Sequence, residues 1–446
     1  MKVTFFGACQ MVTGSCYLVE HESTKLLVDC GMVQGEQFTD NTNYDPFPFD
    51  PTELDYVLIT HAHIDHCGRI PRLVRQGFAG KIIATHATLD FVFLMLEDSA
   101  HVIQLDAELA GYPPLYTAED VQATAKLFSG IDYHEVKKMG SITAEWFDAG
   151  HILGSAFIRL QAGGKSIVFS GDLGNPPVPL LKPTESLPAC DVLVIESTYG
   201  SRVHEAARER KLLLASAIYE TVQMDGILLI PAFALERTQE ILYELNDLVE
   251  HKDIPAVPIF IDSPLAIKAT RIYPKYNQWF NQETQYLIES GDDIFKFNGL
   301  KFTSTVEESR SILHVKAPKV IMAGSGMLQG GRIRYHTRNY LADSKTQLLI
   351  VGYQVAGSLG RQLLDGEKKV VIDGETIRVG AKIRAIGAYS AHADQPKLLE
   401  WLATAPSKPK IFITHGEMTQ ATALEAVLHK RFYEATIPSS GQSTEL

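Results

Sequence analysis

The chain has 446 residues, enough to bury a sizeable core and to form roughly two to four domains. Hydrophobic residues make up 45% and charged residues 21%, the balance of an ordinary globular protein, and no apolar run reaches bilayer-spanning length, so no membrane partner is expected. Its 41 basic against 53 acidic side chains leave a net charge of −12, which repels a polyanion at long range and excludes the broadly basic surface of a sequence-independent duplex binder.

Met1-Lys2-Val3-Thr4-Phe5-Phe6-Gly7 is too short and too soon interrupted for a signal peptide and reads as a first strand, so the expected location is cytoplasmic. The five cysteines, Cys9, Cys16, Cys30, Cys67 and Cys190, are odd in number and contain no Cys-x-x-Cys pair, which argues against a disulfide framework and a thiolate zinc site. Up to about residue 200, short β-like runs alternate with turns, at 25–28, 56–59, 81–84, 144–147, 166–169 and 192–195. Helical patterning covers 89–108 and 117–128. From about residue 201 the texture changes. A helix over 206–223 leads to the apolar run 226–234, then a helix over 237–249, a strand at 257–261, helical text to about Glu289 and a strand at 319–322. Strands of buried type alternating with helices predict a parallel, Rossmann-like sheet.

The densest chemistry lies in His61-Ala62-His63-Ile64-Asp65-His66, where four potential metal ligands fall within six residues. If the preceding strand continues, alternate side chains point the same way, and His61 and His63 can grip one ion together. Gly68 and the helix-like Arg69-Ile70-Pro71-Arg72-Leu73-Val74 then force a turn that aims Asp65 and His66 at a neighbouring position. Cys67 beside them is read as a small packing residue, with a reactive or metal-binding role as the alternative. Other chemistry-bearing residues share one topology. Asp29 follows Leu26-Leu27-Val28, His151 follows 146–150, Asp172 follows 167–171, and Glu196 follows 192–195. His392 follows 386–391 and His415 follows Ile411-Phe412-Ile413-Thr414. Open sheets place their sites at such strand ends. The last two lie more than 190 residues beyond Glu196, so the region between reads as an insertion into one domain.

Seven stretches, in order, carry a resemblance. They are Leu27-Val28-Asp29-Cys30-Gly31, His61 to His66, Gly150-His151-Ile152-Leu153-Gly154-Ser155, Ser170-Gly171-Asp172, Ile195-Glu196-Ser197-Thr198-Tyr199-Gly200, Ser390-Ala391-His392-Ala393-Asp394 and Thr414-His415-Gly416-Glu417. Through them the whole chain resembles the β-CASP nucleases of the metallo-β-lactamase superfamily. That branch includes the endonuclease subunit of the cleavage and polyadenylation specificity factor and its smaller bacterial and archaeal relatives. The resemblance implies an α/β protein: an αββα metallo-β-lactamase sandwich at 1–200 and 385–446, with a Rossmann-like β-CASP domain inserted at 201–384.

It also implies two zinc ions. One would be held by His61, His63 and His151 with Asp172 bridging, the other by Asp65, His66 and His415, sharing Asp172. Imidazole and carboxylate donors suit zinc at roughly 2.0–2.2 Å, with manganese or iron as alternatives. Two ions about 3.5–4 Å apart activate water and stabilise the oxygens of an in-line displacement. The implied reaction is hydrolysis of RNA phosphodiesters by a metal hydroxide. Endonucleolytic cutting of single-stranded RNA comes first, and exonucleolytic trimming would use the same chemistry. The resemblance gives His392 as the general acid, held and kept charged by Glu196. It gives Asp29 as the carboxylate that orients a ligating imidazole, a turn-forming role before Gly31 being the alternative. Asp65 has two expected roles, ligand and acceptor from the nucleophilic water.

The inserted region is expected to lie over the metals and shape a groove. Gly324-Ser325-Gly326-Met327 and Gly330-Gly331-Arg332, followed by Arg334, His336 and Arg338, set flexible amides beside basic residues. Gly357-Ser358-Leu359-Gly360-Arg361 offers a second such loop. Ser325, Arg332, Ser358 and Arg361 are the candidates for phosphate contacts; turns bordering a solvated basic helix are the alternative. Tyr199 and Tyr353 are candidates for base stacking or for the core. Three rival readings stay open: a DNA nuclease of the same branch, a hydrolase of small esters, thioesters, lactones or lactams, and a non-catalytic binding subunit. Specificity would come from the groove, from a homodimer or from a partner.

Overall fold

Three main sheets organise the chain in the computed structural model, which describes residues 1–34, 41–355 and 357–446. The first has seven strands in the order Ser443–Glu445, Lys2–Phe5, Cys16–His21, Thr24–Cys30, Tyr56–Leu58, Lys81–Thr85 and Phe128–Ile131. The second, also of seven, runs Ala435–Thr436, Lys410–Thr414, Val192–Glu196, Lys165–Phe169, Ala156–Ala162, Ile142–Asp148 and Val136–Met139. Their inner faces form one buried cluster, with Leu26, Val28, Leu58 and Ile83 from the first sheet against Trp146, Ile158, Leu160, Val194 and Phe412 from the second. Side chains alternate along a strand, so the next residues point outward. Leu27, Val57 and Ile82 meet Leu73, Phe91 and Val92 of the helices Ile70–Arg75 and His86–Ala110. Leu193, Ile195, Ile411 and Ile413 meet Leu398, Trp401 and Leu424 of the helices Gln395–Ala403 and Met418–Lys430. The result is a sandwich of two sheets with helices on both outer faces, and each fully buried aliphatic contributes about 1.5–3 kcal/mol to it.

The third sheet has six strands, all paired in parallel, in the order Leu300–Phe302, Ile259–Ile261, Lys319–Ala323, Ile227–Pro231, Thr346–Ile350 and Lys382–Ala385. Leu228 and Ile230 pack under Leu214, Ile218, Ile241 and Leu245 of the helices Ala207–Gln223 and Arg237–Glu250. Ile227 and Leu229 pack under Ile333 and Leu363 of the helices Gly331–Tyr340 and Leu359–Leu364. Burial on both faces is why the inner strands, such as Ile227–Pro231 and Lys319–Ala323, read as nearly unbroken apolar runs. This unit leaves and returns between neighbouring strands of the sandwich: Val192–Glu196 pairs directly with Lys410–Thr414, with Glu196 opposite Thr414. That register brings Glu196 and His415 to one strand end.

Some elements differ from the sequence expectation. Strand Tyr56–Leu58 stops before the histidine cluster, and His63 is the N-cap of the short helix Ile64–Cys67, so strand alternation is not what joins His61 to His63. Asp29 lies inside Thr24–Cys30, not after it, with φ at 59°. His392 does not end a strand, because Lys382–Ala385 stops earlier and a 3-10 turn, Gly387–Tyr389, intervenes. The helix expected over 117–128 spans only Ala118–Ala125, and Phe128 opens a strand; a short apolar run fits both by periodicity. Among the described residues, no helix is long and apolar enough to cross a membrane.

Candidate metal centre

Asp172, which follows the strand Lys165–Phe169, stands between two groups of imidazoles. Its Oδ2 lies 3.4 Å from His61 Nε2 and 3.6 Å from His151 Nε2, while Oδ1 lies 3.3 Å from His66 Nε2 and 3.5 Å from His415 Nε2. His63 Nδ1 completes the first group, 3.0 Å from His61 Nε2 and 3.2 Å from His151 Nε2. In the second, His66 Nε2 and His415 Nε2 are 3.1 Å apart, and Asp65 Oδ2 is 3.3 Å from the latter. One donor atom from each of His61, His63, His151 and Asp172 lies within 4.8 Å of the others, and the same holds for Asp65, His66 and His415.

These residues fit divalent ions. A tetrahedral ion with bonds of roughly 2.0–2.2 Å has donor-to-donor edges of about 3.3–3.6 Å, close to the spacing seen. Asp172 Oδ1 is buried with no hydrogen-bond partner while its charge is held on, a need that a bound cation would meet. Burial pushes His61 down to about 3 and His63 to about 4, and His151 well below its ordinary range, leaving neutral rings with free lone pairs. Burial opposes ionisation of Asp65 and Asp172, but His415 and His66 outweigh it and hold both below the usual carboxylate range.

The far side of most of these rings is also fixed. His66 Nδ1 lies 2.7 Å from Asp29 Oδ2, His61 Nδ1 lies 3.1 Å from Thr60 Oγ1, and His415 Nδ1 lies 3.1 Å from Thr198 Oγ1. His151 Nδ1 faces the Ala391 carbonyl at 3.2 Å. Such partners set tautomer and ring direction. Asp29 also accepts from the Thr60 amide and hydroxyl, both at 2.8 Å, so its side chain serves the cluster instead of closing its own turn. Gly31 lets the backbone of Asp65 and His66 come close: a Cβ there would sit 1.6 Å from the Asp65 carbonyl oxygen.

His392 stands at the edge of the cluster. Its Nδ1 is 3.1 Å from Glu196 Oε2 and 3.8 Å from Asp172 Oδ2, and Glu196 Oε1 accepts from the Leu173 amide at 2.6 Å. The Ala393 amide donates to the Leu173 carbonyl at 2.8 Å, tying the His392 loop to the segment that carries Asp172. Burial disfavours the charged ring, but Glu196 and then Asp172 push His392 up to about 9.

The cluster opens into a cavity of about 980 Å³ between the sandwich and the six-stranded unit. Met95, Val102, Ile103 and Leu109 of the helix His86–Ala110 form one wall, and Phe233, Leu235 and Leu265 form another. Ser325 and Arg332 reach this cavity, whereas Ser358 and Arg361 do not line it. Ser358 is fully buried and caps the helix Leu359–Leu364, accepting from the Arg361 amide at 3.2 Å, while the Arg361 side chain pairs with Asp365. Arg332 is engaged as well, donating to Asp262 Oδ1 at 2.7 Å and to the Thr303 and Ser304 carbonyls at 2.9 and 2.8 Å. The Ser325 hydroxyl accepts from the Gly330 amide at 3.2 Å and so closes its own loop. His336 is buried against Asp262 at 2.7 Å. Tyr199 is buried edge-on to Tyr353, which lines the cavity and whose hydroxyl donates to Glu417 at 2.8 Å. Cys67 is fully buried with its Sγ against the Ala62 carbonyl.

Sequence reading missed Thr60, Thr198 and the Ala391 carbonyl. Each sits beside a candidate ligand or inside a motif already singled out, and a hydroxyl next to a ligating histidine is the signal that marks the first.

Comparisons with known proteins identify the family. Residues 11–189 match the family described as Metallo-beta-lactamase superfamily, 238–363 the Beta-Casp domain, and 376–438 the Zn-dependent metallo-hydrolase RNA specificity domain. The chain is 36% identical to "Ribonuclease TTHA0252" of Thermus thermophilus, covering 99% of both chains. It is 33% identical to an "RNase J-like protein" of Methanocaldococcus jannaschii, over 96% of this chain and 95% of that one. A crystal structure of a protein of unknown function from Enterococcus faecalis shares the fold, with a TM-score of 0.56 at 12% identity over 100% of this chain and 99% of the other. The chain belongs to the metallo-β-lactamase superfamily and, within it, to the Beta-Casp branch.

Proposed function

We propose that this metal-dependent hydrolase is a two-zinc ribonuclease that cuts phosphodiester bonds within single-stranded RNA. The observation that carries the reading is the His392–Glu196 pair, 3.1 Å apart, set 3.8 Å from the carboxylate that joins the two ligand groups. Hydrolysis of an RNA phosphodiester needs a proton for a poor leaving oxygen, and this pair is built to supply one. Relatives named as ribonucleases and the match to an RNA specificity domain support RNA as the substrate.

His61, His63, His151 and Asp172 would hold one ion, and Asp65, His66 and His415, with Asp172, the other; manganese suits the same donors. Bound there, the ions supply Lewis acidity, lowering the pKa of water and neutralising phosphate oxygens. The chain's own groups do the rest. Asp65 accepts a hydrogen bond from the attacking water. Asp29, Thr60 and Thr198 keep the imidazoles aimed. His392 gives its Nε2 proton to the departing oxygen, and Glu196 at Nδ1 fixes the ring and stabilises its charge. The apolar walls favour unpaired bases over duplex. Among the described residues, the arginines of the cavity lining, Arg237, Arg332 and Arg334, are each paired with a carboxylate, which supports internal cutting over capture of a terminal phosphate. The six-stranded sheet draws all its strands from between residues 227 and 385, and a two-stranded hairpin, Lys369–Ile372 with Glu375–Arg378, lies in the same stretch, which supports an insertion at 201–384 in a core of 1–200 and 385–446. The free cysteines support a reducing, cytoplasmic setting.

The test is cleavage of labelled linear and circular single-stranded RNA, and of the matching DNA, with and without a chelator, by the parent, His63→Ala and His392→Ala. The parent is expected to open the circle, to spare DNA and to stop with chelator. His63→Ala should lose zinc, and His392→Ala should keep it while cutting poorly. Equal cleavage by both variants and the parent defeats the mechanism, and a surviving circle beside a trimmed linear RNA defeats internal cutting.

A further inference from the structure

The helix Arg237–Glu250 belongs to the six-stranded unit, yet it reaches the two loops that complete the site in the sandwich. We infer that this helix is the positioning element of the centre: Glu236 at its N-cap sets the loop carrying His151, and Glu244, through Tyr389, sets the loop carrying His392. The second half rests on His392 being the proton donor; the first does not.

Glu236 is buried and held at φ 61°, a left-handed backbone that side chains rarely adopt. Its Oε2 accepts from the Leu153 amide at 2.9 Å and from the Tyr273 hydroxyl at 2.8 Å, and its own amide donates to that hydroxyl at 3.0 Å. A strained backbone with a buried carboxylate persists where the side chain has a task its surroundings enforce. The task here is visible in the His151 loop. The His151 and Ile152 amides both donate to Ser155 Oγ, at 3.1 and 3.2 Å, and the Thr85 and Thr88 hydroxyls both donate to the Gly154 carbonyl at 2.7 Å. Those partners lie in the sandwich. The Leu153 amide, two residues from His151, is held instead by Glu236 of the six-stranded unit.

Eight residues along the helix, about 12 Å at 1.5 Å per residue, Glu244 makes the second contact. Buried Glu244 accepts from Arg210 Nε at 2.7 Å and from the Tyr389 hydroxyl. The guanidinium groups of Arg210 and Arg237 lie over the Tyr389 ring at 5.4 and 5.8 Å, and Arg237 pairs with Glu240 between the two contact points. Tyr389 leads straight into the His392 loop. The Ser390 hydroxyl accepts from the His392 amide at 3.3 Å, the Ser390 carbonyl accepts from the Asn175 side chain at 3.0 Å, and the Ala391 carbonyl faces His151. One rigid helix thus registers the ligand on one side of Asp172 and the acid on the other. Because it belongs to the unit that roofs the cavity, the site is complete only with that roof seated.

The experiment compares the full-length parent with Glu236→Ala, Glu236→Gln, Tyr389→Phe and His392→Ala. Zinc affinity is read by competition with a chromophoric chelator. Hydrolysis is read on RNA and on bis(p-nitrophenyl) phosphate, whose leaving group departs without a proton. Glu236→Ala should bind zinc about 10–100-fold more weakly, the usual effect of losing a group that orients a ligand, while Glu236→Gln keeps an oxygen for the Leu153 amide and retains parental affinity. Tyr389→Phe should keep zinc and parental aryl-ester hydrolysis but cut RNA about tenfold or more slowly. Parental zinc affinity in Glu236→Ala overturns the first half. So does zinc loss in Glu236→Gln, and that variant decides the matter even if the alanine variant does not fold. Tyr389→Phe slowing both substrates alike, or neither, overturns the second half. If His392→Ala slows both substrates alike, the proton-donor reading and the second half fall together, and the Glu236 variants still decide the first by zinc alone.

Discussion

The Asp172 cluster and the glycine-rich rim of the six-stranded unit are built from similar material, charged side chains beside glycines, yet they end in opposite states. At the cluster, imidazole and carboxylate donors face one another at 3.0–3.6 Å and Asp172 Oδ1 is left without a hydrogen-bond partner. At the rim, the groups that look free in the sequence already have partners: Arg332 has Asp262, Arg334 has Asp373, Arg361 has Asp365, and Ser358 has a helix end. A motif marks a functional centre when its polar groups converge and stay unsatisfied. It marks a scaffold when they pair off internally.

The largest break in that contrast is Asp172→Asn. Removing the shared charge should strip both ions and lower RNA cleavage by more than about 10³-fold, since metal-supplied charge stabilisation is worth several kcal/mol; elemental analysis beside a cleavage assay checks it, and retained metal with full activity contradicts the contrast. Glu236→Gln probes the same boundary through pH. Burial, then the Glu240 carboxylate, pushes Glu236 up to about 8 from an ordinary 4.5. The unfolded chain releases that proton earlier, so the folded state is penalised as pH rises from 4.5 to 8, by up to about 1.4 kcal/mol per pH unit. Melting temperatures of Glu236→Gln should therefore climb relative to the parent across that window and then level off; a constant offset speaks against a buried acid. Arg332→Ala should be a stability variant, because it takes one partner from the buried Asp262, which keeps Thr303, Ser309 and His336. A loss of about 1–3 kcal/mol in denaturant unfolding, with near-parental activity per folded molecule, is expected. Arg361→Ala should do least. Its exposed pair with Asp365 is worth at most about 0.5 kcal/mol, and neither melting nor KM for RNA should move measurably.

The same contrast explains what could be read before folding. The His61–His66 cluster was legible because its donors are packed locally, although the reason offered, alternation along a strand, was not the one the chain uses. Their convergence with Asp172 and His415 depends on the parallel register of Val192–Glu196 with Lys410–Thr414, which no spacing encodes. The parallel sheet was legible from apolar runs alternating with helices, whereas the sandwich was legible only through the seven ordered motifs and the resemblance they carry. The rim was not, since the partner of Arg332 lies 70 residues away at Asp262. Glu236 was hidden for a similar reason: its sequence neighbours mark a helix start, and only the fold brings the Leu153 amide to its carboxylate.

The most direct measurement is anomalous diffraction at the zinc edge from crystals of the zinc-loaded protein. The account predicts two peaks astride the Asp172 carboxylate, one against His61, His63 and His151, the other against Asp65, His66 and His415. A single peak, or strong peaks away from Asp172, would contradict it.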